Sequence, residues 1–111
     1  MAENKVSLIV YPVKDLASTK QIFSMFWGVE PYVDKPYYVG YKVGDMEIGL
    51  DPYAQNAGPV TYIDVADIKS SVQAMITLGA TLQQDVKDVG GGLLIASVKD
   101  KDGNVLGFRS K

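Results

Sequence analysis

A six-residue phrase occurs twice in this chain. Val13-Lys14-Asp15-Leu16-Ala17-Ser18 aligns with Val65-Ala66-Asp67-Ile68-Lys69-Ser70, an offset of 52 positions (67 minus 15). In a chain of 111 residues, such a repeat restricts the fold to two copies of one supersecondary unit. Each copy opens on an apolar strand, Val6 to Val13 in the first and Val60 to Val65 in the second. An Asp then offers its carboxylate to the free backbone N–H groups of a helix start. Helical periodicity follows in both. Leu16, Thr19, Phe23, Phe26 and Trp27 form one stripe, and Ile68, Val72, Met75 and Ile76 the other. Gly28 and Gly79 supply the left-handed residue that ends each helix.

Short strands separated by turn residues come next. The first copy predicts a piece near Glu30 to Val33, then Tyr37 to Val43 and Met46 to Asp51, the last two joined by the hairpin pair Gly44-Asp45. The second predicts Thr81 to Val86, Leu93 to Val98 and Val105 to Ser110. Gly90-Gly91-Gly92 and Lys101-Asp102-Gly103-Asn104 mark their turns. The sequence therefore reads as an α+β protein built of two βαβββ modules. Residues 1–52 and 60–111 form the modules and 53–59 the linker, within a single domain.

Composition narrows the function. Thirteen acidic residues outnumber eleven scattered basic ones, which argues against nucleic acid. No apolar run reaches the roughly 20 residues of a membrane span. Met1-Ala2-Glu3-Asn4-Lys5 lacks the basic start and apolar stretch of a signal peptide, so a cytoplasmic location is expected. The chain has no cysteine, hence no disulfide framework and no thiolate nucleophile. It has no histidine either. That removes Ser-His-Asp and Cys-His catalysis and every histidine metal site, leaving Asp, Glu, Lys or Tyr for acid/base work.

The doubled βαβββ unit resembles the vicinal oxygen chelate (glyoxalase/bleomycin resistance protein/dioxygenase) superfamily. Val13-Lys14-Asp15-Leu16 is similar to that family's first helix start, and Gly28-Val29-Glu30-Pro31 to its post-helix segment. Asp100-Lys101-Asp102-Gly103-Asn104 is similar to the turn before its last strand. The resemblance implies an open, U-shaped mixed-sheet half-barrel with helices on the outer face. In metal-binding members, ligands stand seven residues before each helix-starting Asp and three residues after the Asn of the final turn. Those positions are Leu8, Val60 and Gly107 here, and none can coordinate a cation. The remaining position, within Met46 to Asp51, is assigned to Glu47. One carboxylate does not hold a metal, so neither a metal nor another cofactor is expected.

Strand alternation, phased on Leu8 and Val60, places Val10, Tyr62 and Asp64 on the cavity face, with Ile9, Tyr11, Ile63 and Val65 against the helices. Val105, Gly107 and Arg109 also face inward, as do Glu47, Gly49 and Asp51, while Leu106, Phe108, Ile48 and Leu50 pack outward. Tyr38, Glu47, Tyr62, Asp64 and Arg109 are the candidate ligand-binding residues. Such a mixture suits a partly polar or cationic organic ligand. Plainer roles fit the same residues: Tyr38 and Tyr62 as ordinary sheet aromatics, Asp64 and Arg109 as a pair across the sheet, Trp27 as core. Asp15 and Asp67 read as caps, and Asp100 to Asn104 as a turn rather than a calcium loop. The glycine run reads as a loop tip.

Three functions remain open: metal-free binding or sequestration of a small molecule, a lyase or isomerase using carboxylate or tyrosine acid/base chemistry, or a filled cavity whose outer surface serves a partner. A homodimer is expected, because open sheet edges and an apolar concave face are poorly covered in a chain of this size.

Overall fold

The computed structural model describes residues 4–55 and 58–111. The first three residues of the N-terminal reading, and Asn56 and Ala57 of the expected linker, lie outside them. Ten elements follow one another: β1 (Val6–Pro12), α1 (Leu16–Trp27), β2 (Val33–Lys35), β3 (Tyr38–Val43), β4 (Met46–Asp51), β5 (Val60–Asp64), α2 (Ile68–Thr77), β6 (Thr81–Asp88), β7 (Leu94–Lys99) and β8 (Val105–Ser110). The class is α+β, and the βαβββ order occurs twice. The chain divides into two compact units, residues 7–59 and residues 60–111 with the segment up to Val6. That segment joins the second unit through the Asp64 N–H, which donates to the Lys5 carbonyl at 3.3 Å.

In the first unit the strand order is β2-β3-β4-β1. β1 runs parallel to β4, with Val10 opposite Gly49, while β2-β3 and β3-β4 are antiparallel. Gly44 takes φ 60° in the two-residue turn between Val43 and Met46, a backbone conformation glycine adopts without a Cβ clash. The second unit repeats the plan as β5-β8-β7-β6. β5 and β8 are parallel, with Tyr62 opposite Gly107, and the other two pairs are antiparallel.

Each unit closes a core between its helix and one face of its strands. Val39, Tyr41, Ile48 and Leu50 are buried in the first, with Ile9, Tyr11, Leu16, Phe23 and Trp27 packed against them. Tyr41 is fully buried: its hydroxyl donates to the Lys20 carbonyl at 3.0 Å and meets Ser24 Oγ at 2.8 Å, tying β3 to the middle of α1. Ile68, Val72, Ala96, Val98 and Phe108 form the second core, with Ile63, Val65, Met75 and Ile76 against them.

Both helix starts are capped as the repeated phrase predicts. The Ser18 N–H donates to Asp15 Oδ1 and the Ser70 N–H to Asp67 Oδ1, each at 3.1 Å. Asp15→Ala and Asp67→Ala should each lower stability by about 0.5–2 kcal/mol in urea denaturation, because each change strips an acceptor from a helix-end donor. Wild-type midpoints in both variants would contradict the caps.

Three expectations are corrected. Phe26 does not join the core stripe: it is 74% exposed. The sheet-facing line of α1 runs through Leu16, Phe23 and Trp27, and Phe26 lies about 100° round the helix from Trp27, meeting that ring edge-on at 4.8 Å between centroids. Leu106, expected under a helix, is exposed. The short strand predicted near Glu30 begins at Val33, because Pro31 cannot donate to a ladder; Tyr32 donates its N–H to the Gly40 carbonyl of β3 without entering the strand.

The Asp100 segment is a turn. Asp100 accepts from the N–H groups of Asp102 and Asn104 at 2.9 and 2.8 Å, and from Asn104 Nδ2 at 2.9 Å. The Asn104 side chain and then its backbone N–H hold the Asp100 carboxyl below the ordinary carboxylate range.

Candidate functional site

The strand faces turned away from the helices carry all five candidate residues. In the first unit Tyr38, Gly40 and Lys42 alternate along β3 beside Glu47 and Gly49 of β4. Gly40 and Gly49 stand directly opposite each other and leave a floor without side chains. Two tyrosine rings cover it. A Cβ on Gly49 would lie 2.6 Å from Tyr38 Cζ, and one on Gly40 would sit 3.3 Å from both the Tyr32 and Tyr38 rings. The Tyr32 hydroxyl donates to Glu47 Oε1, and Lys42 Nζ lies 4.7 Å from the centre of the Tyr32 ring. Tyr32 was not among the candidates. It lies in the piece predicted near Glu30 to Val33, to which no face was assigned, and in the structure it precedes β2.

The second unit presents Tyr62 and Asp64 on β5 and Arg109 on β8. Tyr62 lies flat over Gly107, since a Cβ there would fall 2.8 Å from Tyr62 Cγ. Asp64 and Arg109 are register partners, and Arg109 Nε donates to Asp64 Oδ1 at 3.3 Å. Their side chains are 58% and 15% exposed respectively. Asp64 is thus a solvated ion-pair partner rather than a desolvated base, as the plainer reading of the pair allowed. The structure brings together Asp64 with Arg109, and Tyr32 with Glu47. It gives Tyr38 and Tyr62 the same office, a ring laid over a glycine.

The two units also fix which positions correspond. Val10 and Tyr62 are 52 positions apart, like the repeated phrases, and their partners are Gly49 and Gly107. Gly49, not Glu47, is therefore the counterpart of Gly107; Glu47 lies opposite Leu8, one pleat further along.

The likeness to solved structures covers nearly the whole chain. A glyoxalase/bleomycin resistance protein/dioxygenase superfamily member from Vibrio splendidus 12B01 superposes with a TM-score of 0.74 at 17% identity, over 98% of this chain and 100% of that one. The fold is that of the vicinal oxygen chelate superfamily. A hypothetical protein from Bacillus halodurans C-125 gives a TM-score of 0.76 at 17% identity, covering 99% and 96%. The methylmalonyl-CoA epimerase of Streptomyces coelicolor, in complex with 2-nitronate-propionyl-CoA, gives 0.69 at 15%, covering 99% of each chain. No family model matches the sequence, and no curated protein does.

The vicinal oxygen chelate fold implies a divalent metal, and the residues here do not fit one. The positions that the resemblance marks for ligands, Leu8, Val60 and Gly107, carry no donor side chain, and a tyrosine ring fills the space in front of Gly107 and of Gly49. Among the described residues no group of three or more Asp or Glu is gathered as a metal would need. A separate groove of about 740 Å³ lies on the helix side of the second unit, lined by residues including Val72, Ile76, Leu82 and Val86. None of the five candidate residues lines it.

Proposed function

We propose that the chain is a metal-free small-molecule-binding protein of the glyoxalase/bleomycin-resistance type. One observation carries this reading: at Gly107, a position the resemblance marks for a ligand, and at its counterpart Gly49, the space for a carboxylate and its metal is taken by a tyrosine ring, Tyr62 over Gly107 and Tyr38 over Gly49. An aromatic face with a hydroxyl at its edge binds planar or cationic organic molecules by stacking and cation–π attraction. Glu47 and the Asp64–Arg109 pair supply polar contacts on the same strand faces. Sequestration of a drug or metabolite is the corresponding role.

The Tyr32–Glu47 hydrogen bond favours a second reading, an isomerase-like activity. A carboxylate in contact with a phenol can take a proton from a carbon acid while the phenol steadies the charge that moves. The fold it shares with an epimerase is compatible with such chemistry.

A thermal-shift screen with aromatic cations, antibiotics and dicarbonyl conjugates, run with and without EDTA, tests both. A binder held at 100 times its Kd should stabilise the protein by about 2.7 kcal/mol, with no change on chelation. Tyr62→Ala should abolish the shift. A shift that needs one equivalent of zinc, nickel or manganese would overturn the metal-free reading. Solvent-deuterium exchange into a bound carbon acid, lost in Glu47→Gln, would decide for the isomerase.

A further inference from the structure

The seam between helix and edge strand is closed differently in the two units. In the first, Lys20 of α1 reaches Asp34 of β2, its Nζ standing 3.2 Å from both carboxylate oxygens. That ion pair bridges the helix to the edge of the sheet. The repeat carries Lys20 onto Val72 of α2 (20 plus 52), each lying four places after the first residue of its helix. A buried valine thus stands where the first unit has a lysine.

The acid side has changed in another way. Gly40 faces Gly49 and Ser97 faces Gly107, so Gly40 and Ser97 correspond, and with them their neighbours Val39 and Ala96. Asp34 alone stands against Val39. On β6, Gln84 pairs with Ser97 and Lys87 with Ile95, which leaves both Asp85 and Val86 against Ala96. Such a two-against-one bulge lets adjacent side chains share a face that strand alternation would divide between them. Asp85 and Val86 accordingly both line the groove of about 740 Å³, together with Val72, Ile76 and Leu82. The second unit keeps an acid, lacks the lysine and offers apolar surface in its place. Asp85 Oδ1 accepts from the Val86 N–H at 2.7 Å. Among the described residues no cation stands within ion-pair distance of Asp85. Lys69, the other charged residue of the lining, lies one turn before Val72 and is not paired with it.

We propose that this groove binds a primary amine with an apolar body, its ammonium on Asp85 and its hydrocarbon on Val72, Ile76, Leu82 and Val86. The first unit supplies the pattern. A lysine side chain is an ammonium on an alkyl stem, and Lys20 lays one across the corresponding seam to a carboxylate. The groove volume falls within the range of small-molecule sites, about 300–1,000 Å³. Burial of the body supplies affinity, and the exposed ion pair selects for a cation. Lys69 opposes a second ammonium, so the ligand is a monoamine rather than a polyamine. None of the five strand-face candidates lines the groove, so this site stands apart from the one proposed above.

Titration of the isotope-labelled chain with n-hexylammonium chloride, at constant ionic strength and followed by amide NMR, tests the site. Shifts should saturate and gather at Val72, Ile76, Asp85 and Val86. Asp85→Asn, at an exposed position, should weaken binding about three- to fivefold, the upper reach of one exposed ion pair. Neutral n-hexanol, with the same body, should bind more weakly by a similar factor, and the diammonium of the same length more weakly than the monoamine. Val72→Lys restores the bridge of the first unit and should abolish binding. Circular dichroism shows whether that variant is folded, and the Asp85→Asn result decides where it is not. Shifts that grow linearly without saturation overturn the proposal. So does binding that is unchanged in Asp85→Asn, or no stronger than that of n-hexanol. Saturable shifts confined to the neighbours of Tyr38 and Tyr62, and lost in Tyr62→Ala, overturn it while supporting the strand-face site.

Discussion

Replacing Tyr41 by alanine should destabilise the protein by about 3–5 kcal/mol, the range for removing a large ring from a closed core. Tyr41 is fully buried among Val39, Ile48 and Leu50, and its hydroxyl holds the middle of α1 through the Lys20 carbonyl and Ser24. The alanine variant therefore loses packing and leaves the Ser24 hydroxyl without its tyrosine partner. Tyr41→Phe keeps the ring and should lose only about 1 kcal/mol, the usual net worth of such a hydrogen bond. Urea denaturation of both variants separates the two contributions. A Tyr41→Ala protein within about 1 kcal/mol of wild type would mean that β3 does not anchor the helix.

Adding a single methyl at Gly107 should cost about 1–3 kcal/mol, although alanine is otherwise a strand-compatible residue. The new Cβ would meet Tyr62 along the ring edge, at Cδ2 and Cε2 first and then Cγ, and a ring met that close to its root cannot yield without changing its rotamer. Gly49→Ala is the informative contrast. Its Cβ would meet Tyr38 at Cζ and the hydroxyl, the far end of the side chain, which can swing aside. The Gly49 variant should consequently lose less than the Gly107 variant. Combining Gly107→Ala with Tyr62→Ala should recover part of the loss, a coupling read directly from a double-mutant cycle. Equal losses at Gly107 with and without Tyr62 would show that the ring does not occupy that space.

Most of the architecture was legible in the sequence, because its signals were periodic and came twice. Two capped helices, the Gly44-Asp45 hairpin and the strands Met46–Asp51 and Val105–Ser110 follow from repeated phrases and turn chemistry. Alternation likewise sorted Ile9, Tyr11, Ile48, Leu50, Ile63 and Phe108 to the helix side. Phe26 was misplaced because a helix stripe drawn from hydrophobicity alone absorbs any apolar neighbour, and only packing decides which side meets the sheet. The candidate site was legible in part. Tyr38, Tyr62, Asp64 and Arg109 sit on the expected strand faces, but their neighbours depend on register. Register is a relation between strands, and it alone shows that Gly49 rather than Glu47 matches Gly107. Tyr32 was invisible for a related reason, since its ring comes from outside any strand to meet Glu47.

The parallel pairing of β5 with β8 has a consequence for how the protein emerges from the ribosome. β8 is the last strand of its unit to be made, yet it lies between β5 and β7 and carries Phe108 into the core. Until Ser110 has left the ribosome, β5 has no partner on that side and α2 has only part of its floor. The second unit must therefore wait for the six residues of β8 and then form nearly at once, by pairing strands far apart in sequence. The first unit waits in the same way for β4, which lies between β3 and β1, but that strand is made by Asp51. Synthesis thus leaves an interval in which a folded N-terminal half trails an apolar, unpaired C-terminal one, and that interval is when the nascent chain is most exposed to aggregation and to chaperones.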